Sequence, residues 1–121
     1  MTDPLPVRRT LTFQHDLKSL IPKKNRKNLI FDLEHITKDD LRGYPMLKSD
    51  SLKPFRSHRR GDSRTLFVYC FQCFHQFNKR LNCMGCDESD LEKLILVLID
   101  HRSKNYSYNR SDLTNFTLFE I

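Results

Sequence analysis

No stretch of this 121-residue chain is apolar enough to cross a bilayer. Its longest apolar run, Leu94 to Ile99, falls far short of the roughly 20 residues that a spanning helix needs. No apolar stretch follows Arg8 and Arg9, as it would in a secretory leader, so the protein is expected in the cytoplasm, with no membrane partner. Tryptophan is absent, and hydrophobic residues make up only 38% of the chain. Nine residues are phenylalanine, whose rings bury much area each, so a lean core is still feasible. There is no internal repeat, no low-complexity block and no domain boundary, and the length suits one core rather than two. Residues 1–121 are read as a single domain.

What the chain does have is positive charge: 21 Lys and Arg against 15 Asp and Glu, a net +6. That balance favours an anionic partner, nucleic acid or an acidic protein, although it also serves simply to keep a small domain soluble. Distribution says more than the sum. Arg56, Arg59, Arg60 and Arg64 crowd one short stretch with His58 among them, and Arg102 and Lys104 follow the last strongly apolar segment.

Val7 to Phe13 reads as a strand, with Val7, Leu11 and Phe13 on one side. From Gln14 the pattern turns helical, Phe13, Leu17, Leu20 and Ile21 forming one stripe, and Pro22 stops that helix or opens the next. The spacing predicts a second helix over about Lys23 to Ile36, with Leu29, Ile30, Leu33 and Ile36 on its apolar face. Asp39 to Pro54 carries Gly43, Pro45 and Pro54 and reads as a connection. Phe55 to Arg60 is expected to be extended, Gly61-Asp62 a turn, and Arg64 to Phe71 a strand rich in aromatic and branched residues. Leu91 to Ile99 is the strongest strand, its nearly continuous apolar run implying burial on both faces. The expected architecture is α+β: an N-terminal strand, then a two-helix hairpin packed on a small antiparallel sheet.

All four cysteines fall between the two best strands, as Cys70-x2-Cys73, nine residues, then Cys83-x2-Cys86. Zinc takes four donors in a tetrahedron, and each C-x2-C turn offers two sulfurs from one bend of backbone. Two disulfides or four ordinary buried thiols are the competing readings. A cytoplasmic setting argues against disulfides, and the paired spacing favours zinc. Four thiolates leave no open position for water or substrate, so the ion is expected to be structural. Residues 70–86 would then form a zinc knuckle inserted between the last two main strands.

Arg59-Arg60-Gly61-Asp62-Ser63-Arg64, the strand Thr65 to Tyr69, and His101-Arg102-Ser103-Lys104-Asn105-Tyr106 occur in the order found in the RelE/ParE toxin superfamily. Phe13 to Leu20 also resembles that family's first helix. The resemblance runs from about Val7 to Tyr106, with the cysteine loop as an insertion. It implies a single RelE-like domain acting as the toxin of a type II toxin–antitoxin system, with an antitoxin protein as partner. RelE-like members cut mRNA on the ribosome, whereas ParE-like members poison DNA gyrase.

By the same resemblance, Arg59, Arg64 and Arg102 match the family's basic catalytic cluster, and Tyr106 the tyrosine that stacks on a base or assists proton transfer. Metal-free RNA cleavage needs a deprotonated 2′-hydroxyl, stabilised phosphorane charge and a protonated leaving oxygen. Arginine supplies the second through its planar fork, but it stays protonated and is a poor base. The family's lysines in the strand before the turn are replaced here by Phe55-Arg56-Ser57-His58-Arg59. His58 and His101, with ordinary pKa values near neutrality, are therefore the candidate bases. Arg56, Arg60 and Lys104 are candidate nucleic-acid contacts.

Each assignment has a plainer counterpart. A row of arginines is often a solvated face, Arg64 could form a structural ion pair with Asp62 or a helix carboxylate, and His101 could be a bonded strand edge. The functional alternatives are a non-catalytic zinc-containing RNA- or ribosome-binding module, with Phe71, Phe74, Phe77, Lys79 and Arg80 in its loop, and a ParE-like gyrase inhibitor.

Overall fold

The computed structural model describes residues 3–44, 46–47, 55–72, 89, 91–101 and 118. Along the chain these form β1 (Val7–Arg9), α1 (Leu11–Leu20), α2 (Lys23–Glu34), a 3₁₀ turn at Asp39–Gly43, β2 (Arg56–Arg60), β3 (Ser63–Tyr69) and β4 (Leu94–His101). The strands make a four-stranded sheet in the order β1-β4-β3-β2. Its β2, β3 and β4 are antiparallel, as expected, while β1 adds to the far edge of β4 in parallel, so the sheet is mixed.

The first strand is shorter than its Val7–Phe13 pattern suggests, because Thr10 turns the chain into α1. Its hydroxyl accepts the Phe13 amide at 2.9 Å, which is an N-cap, and helix starts at Leu11. Phe13, Leu17 and Ile21 then point inward, while Leu20 stays exposed on the rim of a cleft. In α2, Leu29 and Leu33 are buried, followed by Ile36 just beyond the helix, with Ile30 packed at the edge.

β4 is the centre of the molecule. Every residue from Leu94 to Asp100 is buried, because helices cover one face and loop segments the other. On the helix side, Phe67, Tyr69, Leu94, Leu96 and Ile99 meet the inward residues of α1 and α2. On the second face, Leu66, Val68, Cys70, Ile95, Val97 and Leu98 pack with Leu47, Phe55 and Leu118. A strand covered on both sides has no polar face to alternate with, hence its unbroken apolar sequence.

β4 is not regular. Leu98 stands opposite Leu66 but Leu96 stands opposite Phe67, so Val97 is an extra residue and the strand bulges there. Val97 and Leu98 consequently both face the second side. α1 is stitched to this bulge by two side chains. Thr10 donates its hydroxyl to the Val97 carbonyl at 2.5 Å, and its amide donates to the Leu96 carbonyl at 3.0 Å. Asp16 accepts the Ile99 amide at 3.1 Å, although burial pushes its carboxyl above the usual range. Asp16→Ala would leave the Ile99 amide without this acceptor and is expected to cost about 1–3 kcal/mol in urea unfolding. Asp16→Asn, which keeps a carbonyl oxygen, should recover most of that loss.

Candidate functional site

The basic residues of β2 are sorted by the pleat. Arg56 stands opposite Phe67, His58 opposite Thr65 and Arg60 opposite Ser63, all on the helix side, whereas Ser57 and Arg59 face the other way. Arg56 is buried and donates to the carbonyls of Leu41 at 2.9 Å and Tyr44 at 2.7 Å, and to Gln72 Oε1 at 3.2 Å. Burial lowers its pKa from the ordinary arginine value. It anchors the 3₁₀ turn to the sheet, and as a nucleic-acid candidate it is placed in the interior rather than at the surface. Arg60 is partly exposed and forms an ion pair with Asp32 of α2.

His58 is buried in the same layer. Its Nε2 lies 3.9 Å from Asp32 Oδ2, its ring is tilted against Tyr44 at 5.6 Å, and Nδ1 has no hydrogen-bond partner among the described residues. Burial lowers its pKa, with Asp32 opposing that shift and Arg60 reinforcing it.

The second face holds the other pair. Arg59 and Arg64 are register partners across the β2–β3 hairpin, and Gly61 turns that hairpin with φ 59°, which glycine adopts without strain. Arg59 is exposed. Arg64 is only 3% exposed and forks onto Asp100, itself 4% exposed, with Nε–Oδ1 at 2.9 Å and Nη2–Oδ2 at 3.0 Å. The Val97 bulge makes this possible. It shifts the phase of β4 by one residue, so that Asp100 meets Arg64 and His101 meets Ser63 on the helix side.

His101 is exposed at the mouth of a cleft of about 630 Å³ between the α1–α2 joint and the β2–β3 turn. Leu20, Ile21, Pro22 and Leu29 line its apolar wall, and Arg60, Asp62, Ser63 and Asp100 its polar end.

This arrangement has a counterpart among solved structures. A chain of the toxin–antitoxin complex RelBE2 from Mycobacterium tuberculosis superposes with a TM-score of 0.52 at 25% identity, covering 82% of this chain and 99% of that one. The chain has a RelE-like fold. No protein-family profile and no curated protein matches the sequence.

Within the RelE-like frame, the three arginines assigned to the phosphate cluster have different standings. Arg59 is exposed on the second face, Arg64 is buried in its pair with Asp100, and Arg102 lies outside the described residues, as do Lys104 and Tyr106. A guanidinium paired with a buried carboxylate braces the sheet, and that is where the structure places Arg64. By register, His58 and His101 stand on the helix side of the sheet and Arg59 on the other. Of the four cysteines, Cys70 is described and buried, while Cys73, Cys83 and Cys86 lie outside the described residues. Among the described residues no helix is long and apolar enough to cross a membrane.

Asp100, Asp32 and Tyr44 were not singled out by sequence reasoning. Asp100 carried a signal nonetheless, as the lone acid ending an apolar strand beside an arginine-bearing hairpin.

The state of His58 predicts a pH dependence. Its folded pKa is depressed, so on acidification the unfolded chain takes up the proton first, near 6.5. Stability present above that pH is lost as pH falls toward the lower folded value. Urea midpoints at pH 7.5 and about 5.5 should fall further for the natural protein than for His58→Gln.

Proposed function

We propose that this protein is the toxin of a toxin–antitoxin pair and that it acts on messenger RNA at the ribosome. The match to a chain of the RelBE2 toxin–antitoxin complex over nearly all of that chain carries the reading. The second face supports it, since Arg59 stands exposed beside the sheet end where β4 stops at His101. Arg59, with Arg102 and Lys104, would hold and polarise the scissile phosphate, while the Arg64–Asp100 pair keeps the underlying strand ends rigid. With both histidines on the helix side, proton transfer falls to Tyr106 or to a group that the ribosome supplies. The same basic surface suits an acidic segment of an antitoxin, which would silence the toxin by covering it.

Induced expression of the natural chain is expected to arrest growth, and primer extension should show cuts within translated messages. Arg59→Ala should lower cleavage about 100-fold with an unchanged unfolding midpoint, as loss of one charge-stabilising group does. Arg64→Ala should instead lower the unfolding free energy, by about 3–5 kcal/mol, and the midpoint with it, because it removes the fork that compensates buried Asp100. A second reading, binding without cleavage, is favoured by the burial of Arg64 and the position of the histidines. It predicts growth arrest with intact messages. Intact messages together with altered DNA supercoiling would select gyrase inhibition, and no arrest at all would sink the toxin reading.

We also propose one structural zinc ion held by Cys70, Cys73, Cys83 and Cys86. Cys70 fits such a site: it lies directly after β3 in an apolar cluster, and its amide donates to the Lys93 carbonyl at 3.0 Å. That bond closes the neck of the loop, and the burial keeps water from the thiol. One zinc per chain is expected by elemental analysis, falling in Cys83→Ser. Chelation should loosen hydrogen-exchange protection over residues 70–86 before the sheet opens. Reduced, zinc-free protein in which all four thiols react without change in that protection would rule the ion out.

A further inference from the structure

The outer face of α2 carries side chains that neither the core nor the second face uses. Leu29 and Leu33 define the inward side of this helix. At 3.6 residues per turn, Lys24, Lys27, Asn28, Phe31, Glu34 and His35 fall on the opposite side, and all six are exposed. The stripe from Lys24 to His35 extends about 17 Å along the helix axis, longer than one nucleotide.

Phe31 is 59% exposed, more than any other exposed large hydrophobic side chain among the described residues. The His35 ring stacks on it, centroids 3.9 Å apart and planes 24° from parallel. The imidazole is held there because its Nδ1–H donates to the Phe31 carbonyl at 2.7 Å. The result is a flat, preorganised aromatic platform in water, next to two lysines.

The charges on α2 run against helix stability. Its first turn holds Lys23 and Lys24 with no acidic residue, at the positive end of the helix dipole, and Pro22 provides no side-chain cap. Asp32, farther along, is engaged by Arg60. The lysines therefore concentrate positive potential where the helix itself gains nothing from it.

We propose that this face of α2 binds an unpaired RNA strand, the lysines contacting phosphates and the Phe31–His35 platform stacking a base. An acidic peptide would be met by lysines alone and gives no use for a solvated ring stack. An apolar peptide needs a groove, whereas Phe31 here has polar neighbours along its stripe. Phosphates and bases fit either nucleic acid, but the Asn28 carboxamide beside the platform both donates and accepts, as a 2′-hydroxyl partner requires. The surface lies on the helix side of the sheet, away from Arg59, and the inference does not rest on the toxin reading.

The test uses the full-length protein and a fluorescein-labelled, unstructured RNA oligonucleotide, with binding read by fluorescence anisotropy over a salt series. The altered side chains are exposed, and an unchanged unfolding midpoint verifies the fold of each variant. Lys24→Glu with Lys27→Glu should weaken binding at least about tenfold and reduce the slope of log affinity against log salt by about 1.4, two phosphates' worth on a single strand. Phe31→Ala should weaken binding about tenfold with the slope unchanged, because stacking is not a counterion effect. Natural affinity in Phe31→Ala would overturn the proposal. So would equal binding of DNA of the same sequence, or displacement of the RNA by polyglutamate at matched charge, which would select an acidic protein instead.

Discussion

The Arg64–Asp100 pair stands at the point on which the rest of the molecule converges. It ties the outgoing end of β4 to the hairpin of β2 and β3, with both side chains almost wholly removed from water. Burying two charges costs several kcal/mol each, and the planar fork of Arg64 against the two carboxylate oxygens offsets that cost. Removing either side chain would take this compensation from the other buried charge. The pair exists because Val97 is an extra residue, and the bulge persists because Thr10 and Asp16 satisfy backbone groups around it. A helix start, a strand irregularity and a buried ion pair thus form one connected device.

That device divides the basic residues between two environments. Arg56, His58 and Arg60 serve the packing of α2 and the 3₁₀ turn against the sheet, through carbonyls and Asp32. Arg59 remains on the other side in water. A chain with this much positive charge in one short stretch looks like a single anion site when written as a line. Folded, it is a clamp on one face and, among the described residues of that stretch, one exposed guanidinium on the other. On the proposed reading, cationic chemistry toward RNA would draw on Arg59, Arg102 and Lys104, while the helix side carries the separate lysine and ring surface of α2.

Much of the fold was legible because its signals are local. Apolar spacing marked α1 and α2 within a few residues, Gly61-Asp62 marked the hairpin turn, and the run after Leu94 marked the central strand. β1 was misjudged in length because Leu11 and Phe13 continue an alternation that Thr10 overrides by capping a helix. The bulge was invisible for a different reason: Val97 and Leu98 sit in an unbroken apolar run, which has no phase to read. Without that phase Asp100 could not be matched to Arg64. The separation of His58 from Arg59 follows from the pleat, since neighbours on a strand face opposite ways. The cysteine spacing is a statement about chemistry that the neck at Cys70 accommodates.

The parallel pairing of β1 with β4 also bears on how the protein is born. Val7, Arg8 and Arg9 find their partners at Leu94, Ile95 and Leu96, and Thr10, which starts the first helix, leans on Val97. β1 leaves the ribosome well before the strand it must join is made, and closing so long a loop is slow. The nascent chain thus waits, its first strand and helix without their seat, until translation has passed β4. The sheet that presents Arg59 is complete only then, so the growing chain carries an unfinished sheet for as long as residues 10–93 are being added.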